Sequence, residues 1–194
     1  YGQTFFISLF NTDIRNYYNL SDGEFGFVYA ISTLISSCIL VSFAKLIDHI
    51  DLRIYSLFIT AGLFFACACM AFLMNHIVFL FLTIFMLRFF GQGAMTHAGE
   101  TTMARYFGNN RGKALSVATL GGMTGVMFLP FIAVNLMSDF IMNQLWLYAC
   151  FSILIFVPFL FIALSGQKIR HINFKETIKD DPLSKKLRTR DIIK

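Results

Sequence analysis

Five long apolar stretches lie between Gly23 and Leu164, and the connectors between them alternate between basic and nearly charge-free. Of the 16 Lys and Arg, fourteen fall on one side: Lys45 and Arg53 in one connector, three residues two connectors later, and nine in the tail. The opposite connectors hold only Arg15. Because Lys and Arg resist translocation, they collect in cytoplasmic loops. The pattern predicts a polytopic membrane protein with a cytoplasmic tail.

The composition excludes most other classes. Hydrophobic residues make up 57% of the chain and charged residues 14%, too few charges for the surface of a soluble domain. The net charge of +5 comes from the tail and the basic connectors, so it indicates topology and contact with membrane lipid rather than nucleic acid. Period-2 alternation is absent, which argues against a barrel. The predicted fold class is all-α, a transmembrane helix bundle whose backbone is satisfied within helices.

Counted with the short first segment Tyr1 to Phe10 as the first, the second to sixth spans are predicted at residues 23–46, 54–74, 77–103, 114–136 and 144–164. Tyr1 to Phe10 is too short to cross a bilayer, which takes about 20 residues, and is predicted to be the outer end of a truncated first helix. Asn11 to Asp22 is predicted as a polar outer loop. Ser21 and Glu24 have the spacing of a capping box, which starts the next helix.

Turns are predicted at Asn75-His76 and at Gly108-Asn109-Asn110. The chain therefore divides into a bundle, residues 1–164, and a polar tail, residues 165–194. The tail is either a solvated cytoplasmic linker or a short amphipathic segment along lipid phosphates. We expect the chain to be a fragment of a longer protein.

Arg88 is the one charge deep inside a span. It lies eleven residues after Ile77, or about 16 Å, near the midplane of a ~30 Å hydrocarbon core. An Arg there costs at least ~2.5–3.5 kcal/mol, so it needs a water-filled cavity or a partner. Glu100 is about 18 Å further along the same helix and cannot pair with it. The partner is a substrate anion, an acid elsewhere in the protein, or helix amides such as Gln92.

Two groups of glycines are candidates for helix packing. Gly91 and Gly93 follow Arg88, and Gly121-x-x-x-Gly125 lies in the fifth span. Lipid supplies no hydrophobic drive between helices, so small residues that allow close backbone approach are favoured at their interfaces.

Signals for an enzyme or a metalloprotein are weak. His97-x-x-Glu100 lacks the second His and the acid of a catalytic zinc site. No Gly-x-Ser-x-Gly and no Gly-rich phosphate loop occurs. The four cysteines lie inside apolar spans, where cysteine is usually a small buried hydrophobe. We therefore predict no enzyme, no metal and no cofactor.

The connector from Ala44 to Arg53 resembles the Gly-x-Leu-Ala-Asp-Arg-x-Gly-Arg-Lys/Arg signature of the major facilitator superfamily. Leu46, Asp48 and Arg53 match it, whereas His49, Asp51 and Leu52 depart from it. Leu87 to Gly93 is similar to the superfamily's fourth helix, where an Arg precedes a Gly-rich turn. Tyr106-Phe107, Arg111 to Ala114 and Gly121 to Pro130 continue similarly, and the whole run is similar to bacterial permeases of monocarboxylate-porter-like type.

The resemblance implies that this chain is the N-terminal half, about five and a half helices, of a twelve-helix transporter with substrate bound between its halves. In the family the connector Asp belongs to a charge cluster on the inner side. Carried over, that cluster is Asp48, Arg53 and Arg105, with Asp48 pairing with Arg105. The partners implied are a small-molecule substrate, membrane lipid and the missing C-terminal half, and the implied location is a bacterial inner membrane.

The predicted function is secondary active transport of a small organic solute, with an anion favoured because Arg88 offers a midplane cation and Gln92 a polar neighbour. One alternative is a proton-driven exporter of amphipathic compounds. The Gly-Pro signature of drug exporters is incomplete here, because Val126 follows Gly125. Another alternative, from a different class, is a non-transporting membrane sensor.

Overall fold

The computed structural model describes residues 4–72, 76–107, 110–137 and 139–164, and within these ranges it is all-α, with no strand. Its helices are α1 (Thr4–Leu9), α2 (Asn11–Tyr18), α3 (Asp22–Ala44), α4 (Leu52–Ala71), α5 (Ile77–Met86), α6 (Met95–Tyr106), α7 (Arg111–Met137) and α8 (Met142–Ala163). A short 3₁₀ helix, Lys45–Asp48, follows α3, and a π-helical segment, Leu87–Ala94, joins α5 to α6.

Several predicted features lie outside the described residues. These are the turn residues Asn75, Gly108 and Asn109, the first three residues of the chain, and the tail at residues 165–194.

The predicted spans are confirmed as helices. Within the described residues, five helical stretches are long and apolar enough to cross a membrane, and their ends differ from the predicted ones by three residues or fewer. They are Asp22–Asp48, Leu52–Ala71, Ile77–Tyr106, Arg111–Met137 and Met142–Ile162. Some helices continue past the apolar core into polar residues, as α7 does at Arg111, and others end before the apolar run does, as α4 does at Ala71. The chain is an all-α membrane bundle.

The prediction of a polar loop from Asn11 to Asp22 is wrong in its first part, because Asn11–Tyr18 is helix α2. Ile14 and the preceding Phe10 are fully buried, while Thr12, Asp13 and Asn16 are exposed. The helix ends at Asn19, whose φ of 53° places it in the left-handed region. Asn tolerates that conformation better than most residues, and it ends α2 two residues before Ser21, the N-cap of α3.

The capping box at the start of α3 is confirmed. Ser21 Oγ accepts from the backbone N–H of Glu24 at 3.3 Å, and a Glu24 carboxylate oxygen accepts from the backbone N–H of Ser21 at 2.9 Å. These bonds satisfy backbone donors that have no intrahelical partner. The sequence therefore specifies where this span begins.

The helices pack as neighbouring pairs. α4 lies along α8, α3 lies against α5 and the π segment, α6 contacts α7, and α1 contacts α7. At the end opposite Lys45, Phe6 and Phe10 of the first turns pack on the fully buried Trp146, with ring centroids 5.4 and 5.3 Å away. The end that carries Lys45, Arg53 and Arg105 is called the basic end below.

Candidate functional site

A positively charged side chain lies well inside the fourth span. Arg88 belongs to the π segment between α5 and α6, and it is half-buried. π-helical turns are rare and occur frequently at functional sites, whereas the sequence analysis expected a continuous α-helix here. Since a charge at this depth costs several kcal/mol, the surrounding groups must stabilise it.

Three neutral groups contact the Arg88 guanidinium. Its Nε donates to Thr33 Oγ1 at 3.2 Å, and its Nη1 donates to Gln92 Oε1. Its Cζ lies 5.3 Å from the centre of the Tyr29 ring, within the range of a cation–π interaction. Thr33 Oγ1 donates its own proton to the Tyr29 carbonyl at 2.8 Å, so the oxygen is available as an acceptor for Arg88.

The chemistry of this site is that of an oriented cation. Thr33, Gln92 and Tyr29 fix the direction of the guanidinium. The planar fork of Arg suits bidentate recognition of a carboxylate or phosphate. The arrangement can therefore bind an anion within the membrane-spanning part of the chain.

The π segment packs closely on α3 at Gly93. A Cβ at that position would lie 2.9 Å from Leu40 Cδ2, closer than real Cβ contacts allow. Phe89 packs next to this contact, edge-on to Phe43 with ring centroids 5.0 Å apart. The small residue brings the segment onto α3, the helix that supplies Tyr29 and Thr33. Gly91 is half-buried in the same segment.

An ion pair joins two elements at the basic end. Arg105, in the last turn of α6, donates from Nη2 to Asp48 Oδ1 at the end of the 3₁₀ helix. The Asp48 side chain is 49% exposed and the Arg105 side chain 25%. The pair is therefore partly solvated, and its contribution is that of a surface salt bridge.

Arg53 binds elsewhere. Its Nε donates at 2.8 Å to the carbonyl oxygen of Leu164, the residue that ends α8. A cation at a helix C-terminus interacts favourably with the free carbonyls there. The structure thus brings Asp48 and Arg105 together, and places Arg53 at the junction of α4 and α8.

The family model described as Major Facilitator Superfamily matches residues 1–193 of this chain. The chain belongs to the major facilitator superfamily. Comparison with curated proteins and with solved structures gives no match. Members of the superfamily are multi-pass membrane transporters rather than enzymes, and the helices of this chain form half of such a fold.

No described helix packs on the glycine pair of the fifth span, so the packing role of this pair stays a prediction. A Cβ at Gly121 or at Gly125 would meet nothing within 4 Å in the described part of the chain. α7 makes its contacts mainly with α1 and α6, and Gly125 borders an apolar cleft instead. The Gly-x-x-x-Gly spacing permits close approach, but none of the described helices approaches there.

The sequence did not predict Tyr29 and Thr33 as contacts of Arg88. They stand four residues apart, so they lie on one face of α3, a mainly apolar span whose other polar residues beyond its first turn are serines. Polar groups at this spacing on an apolar helix are a usable signal for a facing polar partner. The depth of Thr33 relative to Arg88, however, depends on how α3 and the π segment are packed.

The described residues of this transporter contain no group of three or more His, Cys, Asp or Glu side chains that could hold a metal ion. His97 lies 3.5 Å from Thr101 Oγ1, measured from Nε2, one turn along α6. That distance is at the limit of a hydrogen bond.

Proposed function

We propose that this protein is a secondary active transporter of a small organic anion, in which Arg88 binds the substrate carboxylate. The observation that carries the proposal is the contact of Arg88 with three neutral groups, inside a span of a superfamily transporter. A guanidinium held in one orientation attracts an anion through its charge and its N–H donors. In a low-dielectric surrounding this attraction is stronger than in water.

Gln92 is the second substrate-site residue in this proposal. Its amide accepts from Arg88 and can rotate to donate to the oxygen of a bound carboxylate. The monocarboxylate-porter-like permeases that the sequence resembles support a carboxylate over a phosphate ester. Symport with a coupling ion and a bacterial inner membrane are parts of the same proposal.

The architecture that we propose has the substrate between two halves. Residues 1–164 belong to the N-terminal half, and residues 165–194 form a cytoplasmic linker toward helix seven. The two halves rock around the site, which opens alternately to each side of the membrane. The ion pair of Asp48 with Arg105 stabilises the state that is closed at the cytoplasmic face.

Uptake of labelled organic acids tests the proposal. The full-length protein is reconstituted into proteoliposomes, and a panel of mono- and dicarboxylates is compared with neutral analogues of the same size. Arg88→Ala should abolish anion uptake, because it removes the binding cation. Arg88→Lys should retain a part of it, because Lys keeps the charge but loses the planar fork.

Arg15→Ala is the matched control. Arg15 lies at the opposite end from Lys45 and pairs with Asp22, so it is a second partly buried arginine with no place in the site. The control should transport like the wild type. Anion uptake that survives Arg88→Ala in folded protein contradicts the carboxylate role of Arg88, and the absence of anion uptake by the wild type contradicts the proposed substrate.

A second candidate function is export of amphipathic compounds, favoured by an apolar cleft between α7 and the α4–α8 pair. The cleft has a volume of about 680 Å³, and its lining includes Met95, Phe128, Phe156 and Phe159. This size and apolar character fit a drug-sized ligand. Efflux of a lipophilic dye that falls in Phe128→Ala but not in Arg88→Ala would support export over anion uptake.

A further inference from the structure

Gly62 on α4 lies directly beneath the ring of Phe90 in the π segment. A Cβ built at Gly62 would stand 2.6 Å from Phe90 Cζ and 2.7 Å from both Cδ1 and Cδ2. Three ring atoms at nearly equal distances mean that the Cβ would lie over the centre of the ring. Real Cβ atoms essentially never come closer than 3.0 Å to another group. The flat face of Phe90 therefore rests on the backbone of α4, which only glycine allows.

The Phe90 ring has little freedom to move aside. It is 8% exposed, and two other rings meet it edge-on: Phe89 with centroids 4.9 Å apart, and Phe58 with centroids 5.8 Å apart. Close-packed interiors transmit a displacement rather than absorb it. A side chain at Gly62 would consequently push the ring together with its backbone.

Phe90 is two residues from Arg88, and both belong to the same π segment. The backbone carbonyl of Phe90 accepts from the N–H of Met95, so the residue is part of the hydrogen bonding that defines the segment. The bond from Arg88 Nε to Thr33 Oγ1 is 3.2 Å long, at the upper end of the usual range. A displacement of a binding group by roughly 1 Å can weaken its interaction with the substrate by up to about a hundredfold.

We propose that Gly62 is a positioning residue for Arg88: by letting the Phe90 ring seat on α4, it sets the place of the π segment and so aims the guanidinium. Gly62 touches no part of the site described above. It acts through Phe90. The inference rests on the proposed anion transport for its kinetic readout, but not for its structural one.

The test is Gly62→Ala in the full-length protein in proteoliposomes, with KM and the maximal uptake rate measured for the best anion of the panel. The expected result is a KM raised by about ten- to a hundredfold. The maximal rate should change much less, because the substrate site is misaligned while the rest of the fold is intact. Gly99→Ala is the matched control, since a Cβ at Gly99 meets nothing within 4 Å. It should leave KM unchanged.

Rescue separates positioning from general damage. Adding Phe90→Leu to Gly62→Ala replaces the ring that the new methyl group strikes by a smaller apolar side chain that still fills the contact between α4 and the π segment, so KM should return part of the way to the wild-type value. If Gly62→Ala alone does not accumulate, Phe90→Ala replaces it, because an emptied contact leaves the π segment without its support on α4 and should also raise KM. An unchanged KM in folded Gly62→Ala, or in Phe90→Ala, overturns the proposal. The proposal is also overturned if the KM of the double variant is as high as that of Gly62→Ala.

Hydrogen exchange of the amides of residues 87–94 provides a readout that needs no substrate. Exchange should be faster in Gly62→Ala and return toward wild type in the double variant. If exchange is faster in Gly62→Ala but the wild-type protein takes up no anion, the proposed function is contradicted and the positioning role of Gly62 is still supported. Exchange in Gly62→Ala at the wild-type rate, together with anion uptake by the wild-type protein, overturns the positioning role and leaves the proposed function supported.

Discussion

Reversing the charges of Asp48 and Arg105 one at a time, and then together, tests whether their ion pair stabilises one state of the transport cycle. Asp48→Arg places a cation beside Arg105, and Arg105→Asp places an anion beside Asp48. Each single reversal replaces an attraction by a repulsion. The double swap restores an ion pair with opposite polarity. We expect slower transport in both single variants and partial recovery in the double variant.

The magnitude follows from the exposure of the two side chains. With Asp48 49% exposed and Arg105 25%, the pair is in the class of solvated surface pairs. Such pairs contribute about 0.2–1 kcal/mol, which changes the ratio of two conformational states by about 1.4- to 5-fold. Each single reversal changes the energy of the pair by about twice that amount, since an attraction becomes a repulsion. The coupling energy between the two reversals is then up to about four times the energy of the pair, or about 0.8–4 kcal/mol.

The assay is initial uptake of the transported anion in proteoliposomes at matched protein density, for the wild type and all three variants. The same three changes at Arg15 and Asp22 form the control, since that pair is also partly exposed but lies at the opposite end of the bundle. The control cycle should show no coupling in transport rate. Single and double reversals of Asp48 and Arg105 with purely additive effects would refute the reasoning, as would an equal coupling in the control pair.

Two further predictions concern stability. Tyr55 is 2% exposed and its hydroxyl has no partner in the described part of the chain, so Tyr55→Phe removes a buried unsatisfied group while keeping the ring stacked on Phe43. Tyr55→Phe should stabilise the protein by about 1 kcal/mol, which raises the Tm of the detergent-solubilised protein by about 2–4 °C. Tyr148→Phe is the control and should leave the Tm unchanged, because Tyr148 is exposed. An unchanged or lower Tm for Tyr55→Phe counts against the prediction. Arg53→Gln should weaken the hydrogen bond to the Leu164 carbonyl and lower the free energy of unfolding by about 1 kcal/mol. Amide hydrogen exchange in the last turn of α8 should become faster, and unchanged exchange there would contradict the role of Arg53.

The sequence predicts the spans well because their cause is local. A run of apolar residues long enough to cross the membrane has to be helical, and the start of α3 is specified by Ser21 and Glu24 alone. The helix from Asn11 to Tyr18 was not predicted, because its polar composition hides the buried Ile14. Hydropathy averages a segment and does not report which face of it packs.

The residues around Arg88 were only partly predictable for the same reason. Gln92 is one helical turn away, so spacing along the chain suggests its contact with Arg88. Thr33 is 55 residues away, and the Leu164 carbonyl is 111 residues from Arg53. Those contacts depend on how helices are rotated and shifted against each other. The sequence permits many such arrangements, and the packing around Phe90 and Gly93 selects one.

The bond of Ser32 across to the fourth span has a consequence for how the two spans can separate. Ser32 is fully buried, and its Oγ lies 2.7 Å from the Val28 carbonyl and 3.2 Å from the Phe81 carbonyl. Dissolved ions do not reach this neutral link, whereas at 1 M salt the Debye length of about 3 Å screens the partly exposed pair of Asp48 and Arg105. Raising ionic strength should therefore loosen the two spans at the basic end alone, with Ser32 acting as the pivot.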